Sequence, residues 1–315
     1  MRSGLSRALL VNAASRVLTL DIGGSHVSAA VVDSRRRDIV VGTRVHVEMD
    51  EGATHAVILD TWADAAFRAT ATVGHASIGG VGIAIPAPFD YDRGVSLMQH
   101  KFRALYGLPV VTLLEERFRT SALEGAPIVV ANDADLFALG EWWAGAAQGR
   151  ARVIGLTLGT GLGSGFVADG RIVTTGPEVP PGGEVWNLAY LDGVAEDYGS
   201  GRAITMTYAR ATGMTCTARQ IAQRAEAGEA AARNAFAQLA FHLARILEPY
   251  VARFRPACIV VGGRLAHAAP YFVPQLGYTL APVECNPSAR LEDATLLGAA
   301  ALFAPKQTPR QNSCC

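Results

Sequence analysis

Short apolar blocks separated by glycine and proline run along the chain, at lengths that suit buried strands and amphipathic helices. Val17–Leu20 reads as a buried strand entering the glycine turn Asp21-Ile22-Gly23-Gly24-Ser25, and Val27–Val32 resumes as a second strand. The same order recurs further on. Val153–Leu158 reads as a strand, Gly159-Thr160-Gly161-Leu162-Gly163-Ser164-Gly165 as a glycine turn, and Phe166–Ala168 as a strand, with Asp169-Gly170 turning into Arg171–Val173. Setting Thr19-Leu20-Asp21 on Thr157-Leu158-Gly159 brings both turns into register, 138 residues apart, as an internal repeat. Two glycine-rich turns also resemble one another by chance, and the pattern alone leaves both readings open.

Between the repeats the periodicity predicts a helix over Ala53–Val73, a strand over Gly80–Ile85 closed by Pro86 and Pro88, and a helix near Thr112–Phe118. A strand over Pro127–Ala131 and a helix from about Ala134 to Ala147 follow. After the second repeat comes a loop rich in proline and glycine, Thr175–Gly183. A long helix is then predicted over Thr217–Phe254, where Phe236, Leu239, Leu243, Ile246, Leu247 and Tyr250 form one apolar face and Pro256 stops it. Ala257–Val261 reads as a strand into Gly262-Gly263, and Leu291–Phe303 as a closing helix. Strands alternating with helices give an α/β fold.

Composition narrows the function classes. The 315 residues allow two ordinary domains, and half are apolar, so a substantial core is expected. Lys plus Arg balance Asp plus Glu at 28 each, which leaves no basic face for nucleic acid or an anionic membrane. A small molecule is the expected partner. Cys216, Cys258, Cys285, Cys314 and Cys315 form no C-x-x-C pair, so neither a zinc site nor a disulfide framework is indicated, and cytoplasmic residence is expected. Ala8–Ala14 is too short and weakly apolar for a signal peptide, and Cys314-Cys315 ends a polar, solvated tail.

Glycine turns after strands let backbone N–H groups approach a bound anion. Gly23, Gly24 and Ser25, then Gly159, Thr160, Gly161 and Gly163, then Gly262 and Gly263, together suggest a clasp on a nucleotide. Asp21, at the mouth of the first turn, would repel phosphate unless Mg²⁺ intervened, which makes it a metal-ligand candidate, acting through water. The alternative is that Asp21 bonds its own turn. Asn132-Asp133 follows a strand, where side chains at the carboxyl end point into a crevice. There Asp133 can take the proton of an attacking hydroxyl and Asn132 can bond a neighbouring one. The alternative is that Asp133 caps the next helix.

These segments resemble the ROK family of bacterial sugar kinases and repressors. The resemblance rests on Asp21-Ile22-Gly23-Gly24-Ser25, Asn132-Asp133-Ala134, Leu158–Gly165, Gly183-Glu184, Glu196–Ile204, Val260–Gly263 and Leu296–Ala300, in the family's order from Leu18 to about Phe303. It implies an actin/hexokinase-like (ribonuclease H-like) fold, with two domains around a nucleotide and sugar cleft, and a homodimer using ATP and Mg²⁺. Asp133 would be the base. Asn132, Glu184 and Glu196 would bind sugar hydroxyls, the glycine turns phosphates, and Gly262-Gly263 the adenosine. The expected organisation is an N-terminal extension (1–16), an N-terminal α/β domain with the first turn (17–126), a C-terminal α/β domain with the remaining motifs (127–304) and a disordered tail (305–315).

The chain also departs from that pattern. The family's zinc site of one His and three Cys has no counterpart, because Glu184 to Glu196 is short and holds no Cys. The expected His of G-E-x-x-H is Asn187, a candidate sugar contact that keeps a donor and an acceptor but cannot carry charge. No zinc is therefore expected. The N-x-x-G-W sugar loop is replaced by Met98–Gly107. Its Lys101 and Arg103 read as a solvated face, or alternatively one of them, with Lys101 the candidate, meets an anionic substituent of the substrate. A sugar-responsive repressor is disfavoured because only sixteen residues precede Val17. A non-catalytic sugar-binding protein is disfavoured by Asp133 and both glycine turns.

Overall fold

The computed structural model of the chain describes residues 15–73 and 78–305. The expected N-terminal extension and tail lie almost wholly outside the described residues. The chain forms two compact units: one runs through Ala144 and resumes at Asp293, and the other is Gly145–Glu292.

The first unit is built on a six-stranded sheet. Its first strands are β1 (Arg16–Ile22), β2 (His26–Asp33), β3 (Asp38–Ile39) and β4 (Val45–Glu48). Helix α1 (His55–Thr70) follows, started by Thr54, whose hydroxyl accepts the Val57 N–H at 3.4 Å. Then come β5 (Ile78–Ala84), a small hairpin of β6 (Phe89–Asp90) and β7 (Val95–Ser96), α2 (Val110–Phe118), β8 (Ile128–Ala131) and α3 (Asp133–Ala144). The sheet order is β3-β2-β1-β5-β8, with β4 also on β2. β1 and β2 are antiparallel, while β1, β5 and β8 are parallel. Register sets Asp21 beside Ala84 and Ala84 beside Ala131, so three parallel strands end level with one another. The core joins Leu18, Leu20, Val81 and Ile83 to Ile58, Leu59 and Trp62 of α1.

The second unit repeats this plan. Its strands are β9 (Arg152–Leu158), β10 (Leu162–Ala168), β11 (Arg171–Ile172), the small pair β12 (Ala189–Tyr190) and β13 (Gly193–Val194), then β14 (Cys258–Gly262) and β15 (Glu284–Pro287). The sheet order β11-β10-β9-β14-β15 matches the path β3-β2-β1-β5-β8 of the first sheet, which adds β4: antiparallel on one side of the opening strand, parallel on the other. The repeat read from two glycine turns therefore covers five strands, which chance similarity of turns does not explain. Five helices complete the unit: α4 (Ala195–Tyr198), α5 (Gly201–Thr212), α6 (Ala218–Glu226), α7 (Ala230–Phe254) and α8 (Val273–Thr279). The chain then returns to the first unit through α9 (Asp293–Ala301).

α9 crosses α3 at two glycines. A Cβ on Gly140 would stand 1.8 Å from the Ala294 carbonyl oxygen, and one on Gly298 1.8 Å from that of Leu136. Only bare backbone allows so close a crossing.

Three sequence expectations change. The division into units falls at Ala144/Gly145 with a return at Asp293, not at 126/127, because α3 and α9 pack on each other and on β1. The long helix is broken at Gly228, whose φ of 92° ends α6, and the Glu229 carboxylate there is held by Tyr208 and Arg224. The second glycine turn is shorter than expected. Leu162–Gly165 are strand, so Gly163 lies in β10 opposite Thr157 and the turn proper is Gly159–Gly161.

Candidate active site

The first unit gathers two carboxylates and a cation around the first glycine turn. Asp21 ends β1, and Asp133 opens α3 immediately after β8. Both side chains are half-buried. Burial, and then the charge of Asp133, push the Asp21 carboxyl up to about 7. Burial also raises Asp133, opposed by the Ala134 N–H, which its Oδ1 accepts at 2.9 Å, and by the positive charge of Lys101.

Capping of α3 falls to Asn132, not Asp133. Asn132 Oδ1 accepts the N–H of Ala134 at 2.9 Å and of Asp135 at 3.3 Å. Its amide nitrogen points the other way and donates to the Tyr91 hydroxyl at 3.4 Å, and Tyr91 in turn donates to the Ile85 carbonyl at 2.9 Å. Asn132 thus keeps at most its amide N–H for a ligand, while Asp133 gives one carboxylate oxygen to the Ala134 N–H and, among the described residues, makes no bond to the N–H groups further along the helix. Tyr91 was not legible in the sequence, since a lone tyrosine beyond a proline turn carries no pattern.

Lys101 is not part of a solvated face. It is half-buried, Gly24 lies beside its stem, and its charge reaches Asp133. Its loop is fixed from below: Met98, Phe102 and Leu105 are buried, and Phe102 meets Trp62 edge to face at 5.7 Å. Arg103 is exposed, as expected. In the same turn, the Gly23 N–H bonds the His26 carbonyl at 2.9 Å, and Gly24 faces the Glu51 carboxylate.

The second unit brings three segments to its own glycine turn. The Gly159 N–H bonds the Gly161 carbonyl at 3.1 Å, and the Gly201 N–H bonds the Gly159 carbonyl at 2.9 Å. Gly201 opens α5, whose cap is the buried Ser200. The Gly262-Gly263 turn closes on the same strand end, where the Leu265 N–H bonds the Leu158 carbonyl at 2.9 Å. Thr160 is exposed at the tip. Glu196 lies against the turn itself: one carboxylate oxygen accepts the Leu162 N–H at 3.0 Å, and the other pairs with Arg202 at 2.9 Å. A residue expected on sugar hydroxyls therefore has both oxygens engaged. Arg202 was missed because an arginine on a helix surface gives no signal of its own.

Glu184 follows a 3-10 turn over Pro181–Gly183. Ser164 anchors that turn, donating to the Gly183 carbonyl at 2.7 Å and accepting the Val185 N–H at 3.0 Å. The Trp186 indole donates to the Glu184 carboxylate at 3.0 Å. Asn187 is exposed.

Among the described residues no group of three or more His, Cys, Asp or Glu converges on one point. The paired acids Asp21 and Asp133, each raised by burial, are a donor set that a cation would relieve. They fit a hard divalent ion that takes one or two carboxylates and completes its shell from water and phosphate.

A family model, described as ROK family, matches residues 17–180 and 191–306. The chain belongs to the ROK family. The match breaks at 181–190, the stretch that carries Glu184 and Asn187 and where the sequence departs from the family pattern. The N-acetyl-D-glucosamine kinase of Haemophilus influenzae is 29% identical over 91% of this chain and 99% of its own. The glucokinase of Thermotoga maritima is 28% identical over 71% of this chain and 78% of its own. Among solved structures, the ROK hexokinase of Thermus thermophilus superposes with a TM-score of 0.75 at 27% identity, covering 92% of this chain and 97% of that one. The ROK glucokinase of Streptomyces griseus, in complex with glucose and AMPPNP, gives 0.71 at 24% identity over 91% and 98%. The fold is that of the ROK sugar kinases, mixed α/β and actin/hexokinase-like.

Proposed function

We propose that this ROK protein is an ATP- and Mg²⁺-dependent sugar kinase, transferring the γ-phosphoryl group to a hydroxyl of a hexose or hexose-like sugar, with Asp133 as the base. The observation that carries the reading is the half-buried pair of Asp21 and Asp133, at the level ends of parallel strands, beside the first glycine turn. Burial raises the basicity of Asp133. Lys101 and the Ala134 N–H oppose that rise by favouring the carboxylate, the form that can accept a proton. Asn132 fixes the start of α3 and so the aim of the carboxylate behind it. Asp21 would hold Mg²⁺ through water, and the bound ion would supply charge neutralisation on the phosphates. The second glycine turn and the N-terminus of α5 offer N–H groups for an anion, with Gly262-Gly263 beside them for the rest of the nucleotide. Glu184 and Asn187 are proposed sugar contacts. The altered 181–190 stretch argues for a substrate that differs from glucose, or for loose binding of glucose itself. No structural zinc is part of the proposal, and the protein is proposed to act as a homodimer in the cytoplasm.

The test is ADP release over a panel of glucose, mannose, fructose, N-acetylated hexosamines and sugar acids, repeated with Asp133→Asn. The amide keeps the shape and loses the base. Turnover should fall by about 10²–10⁴ while sugar affinity stays within roughly tenfold. Near-normal turnover in that variant would remove Asp133 from the chemistry, and no ADP release with any sugar would remove the kinase reading.

A further inference from the structure

The contact between Glu196 and the second glycine turn has the form of a ligand contact. A carboxylate oxygen sits on the Leu162 N–H at 3.0 Å, the interaction a phosphate oxygen would make there. The space it fills exists because residue 161 is glycine: a Cβ would stand 2.4 Å from Glu196 Oε2. The turn therefore binds an anion, and in this structure the anion is the protein's own. Its other oxygen is held by Arg202 at 2.9 Å, with the Arg202 side chain about half exposed and Glu196 a quarter. Arg202 also lines an open cavity of about 730 Å³ with Asp197 and Arg210, which gives its guanidinium room to turn.

We propose that Glu196 is an internal placeholder for nucleotide phosphate on the second glycine turn, and that Arg202 binds that phosphate once it takes Glu196's place. The proposal rests on the sugar-kinase reading. A phosphate carries more charge than a carboxylate and accepts two parallel N–H bonds from a guanidinium, so Arg202 favours the exchange. The displaced Glu196 is then repelled by the phosphate and free to accept a sugar hydroxyl. Because each ligand favours the same rearrangement, nucleotide and sugar strengthen one another's binding, by the same factor in both directions. Sugar that draws Glu196 away clears the turn, and nucleotide that clears the turn offers Glu196 to sugar.

The test is the equilibrium dissociation constant of ADP, measured calorimetrically with and without sugar, together with KM for the sugar. Glu196→Gln leaves a neutral amide that competes less well for the N–H and for Arg202. ADP should bind about three- to thirtyfold more tightly in the absence of sugar, while KM for sugar rises by a similar factor. Arg202→Ala should weaken ADP by about the same factor, and Arg202→Lys should restore part of it. A merely structural Glu196 would move both constants of Glu196→Gln the same way, toward weaker binding. That result, or an Arg202→Ala protein with unchanged ADP affinity, would overturn the proposal. ADP binding is read without turnover, so it stands apart from the panel. If no sugar is phosphorylated while the ADP shifts appear, the kinase reading fails and the placeholder stands. Thermal unfolding of each variant separates loss of fold from loss of binding.

Discussion

Replacing Asp21 by Asn should stabilise the metal-free protein at neutral pH while disabling it. The Asp21 carboxyl rises from 3.8 to about 7 through burial and the neighbouring charge of Asp133. A shift of that size, at about 1.4 kcal/mol per pH unit, corresponds to about 4 kcal/mol if fully realised. Partial solvent access to Asp21 reduces it to roughly 2 kcal/mol. The sign follows from proton uptake. Between about pH 4 and 7 the native state holds a proton that the unfolded chain has released, so this group's contribution falls as pH rises and levels off above 7. Asparagine carries no such penalty. The difference between Asp21→Asn and wild type should be near zero at pH 4 and grow to roughly 2 kcal/mol at pH 8. The assay is urea unfolding in chelator at several pH values, with equal slopes required of the two proteins. Mg²⁺ should then stabilise wild type at pH 8 and leave the variant unmoved. A difference constant from pH 4.5 to 8, or a variant less stable at pH 8, would refute the reasoning.

Two other expectations bear on the rest of the molecule. Gly298→Ala forces a methyl to within 1.8 Å of the Leu136 carbonyl oxygen, so α3 and α9 must part. Thermal unfolding should show a loss of about 2–4 kcal/mol, and an unchanged Tm would contradict the crossing. With no Cys between Glu184 and Glu196, purified protein should contain no stoichiometric zinc by metal analysis and should survive chelators folded.

The elements that sequence could deliver were those whose cause is local. β1, β2, β9 and the strand before Asn132 are short, mostly apolar runs broken only by Thr19, Ser28, Gly155 and Thr157, and their expected and observed limits agree within two residues. The α6–α7 break was not visible, because the apolar stripe of α7 continues the period of α6. Only the positive φ at Gly228 and the Tyr208–Glu229–Arg224 contacts separate the two helices. α5 was missed since its apolar positions are few and its start is set by Ser200. In the site, Asp21 and Asp133 were legible as acids at strand ends. The division of labour between Asn132 and Asp133 was not, because both can cap a helix and only geometry decides which does. The sequence leaves Lys101 between two readings for a similar reason. Its neighbours in sequence are polar, but Phe102 beside it is driven into the core and takes Lys101 inward with it.

The matching sheets explain where the chemistry divides. In each unit the opening strand is flanked antiparallel on one side and parallel on the other, so its following turn falls at the carboxyl ends of the parallel strands, where a ligand can meet backbone N–H groups. The frame is common to both, and the difference lies at single positions. Where the first copy carries Asp21, the second, in the register of the repeat, carries Gly159. A carboxylate fixed there in both turns would repel phosphate at both. The first copy keeps its acid on the strand, where a cation can neutralise it. The second borrows Glu196 from α4, an element with no counterpart in the first sheet, and an acid held only by one N–H and one arginine can leave. A permanent acid suits a metal, whereas a removable one suits a phosphate that comes and goes. The duplicated frame accordingly places two glycine turns after equivalent strands, and under the proposed reading they take opposite electrostatic tasks.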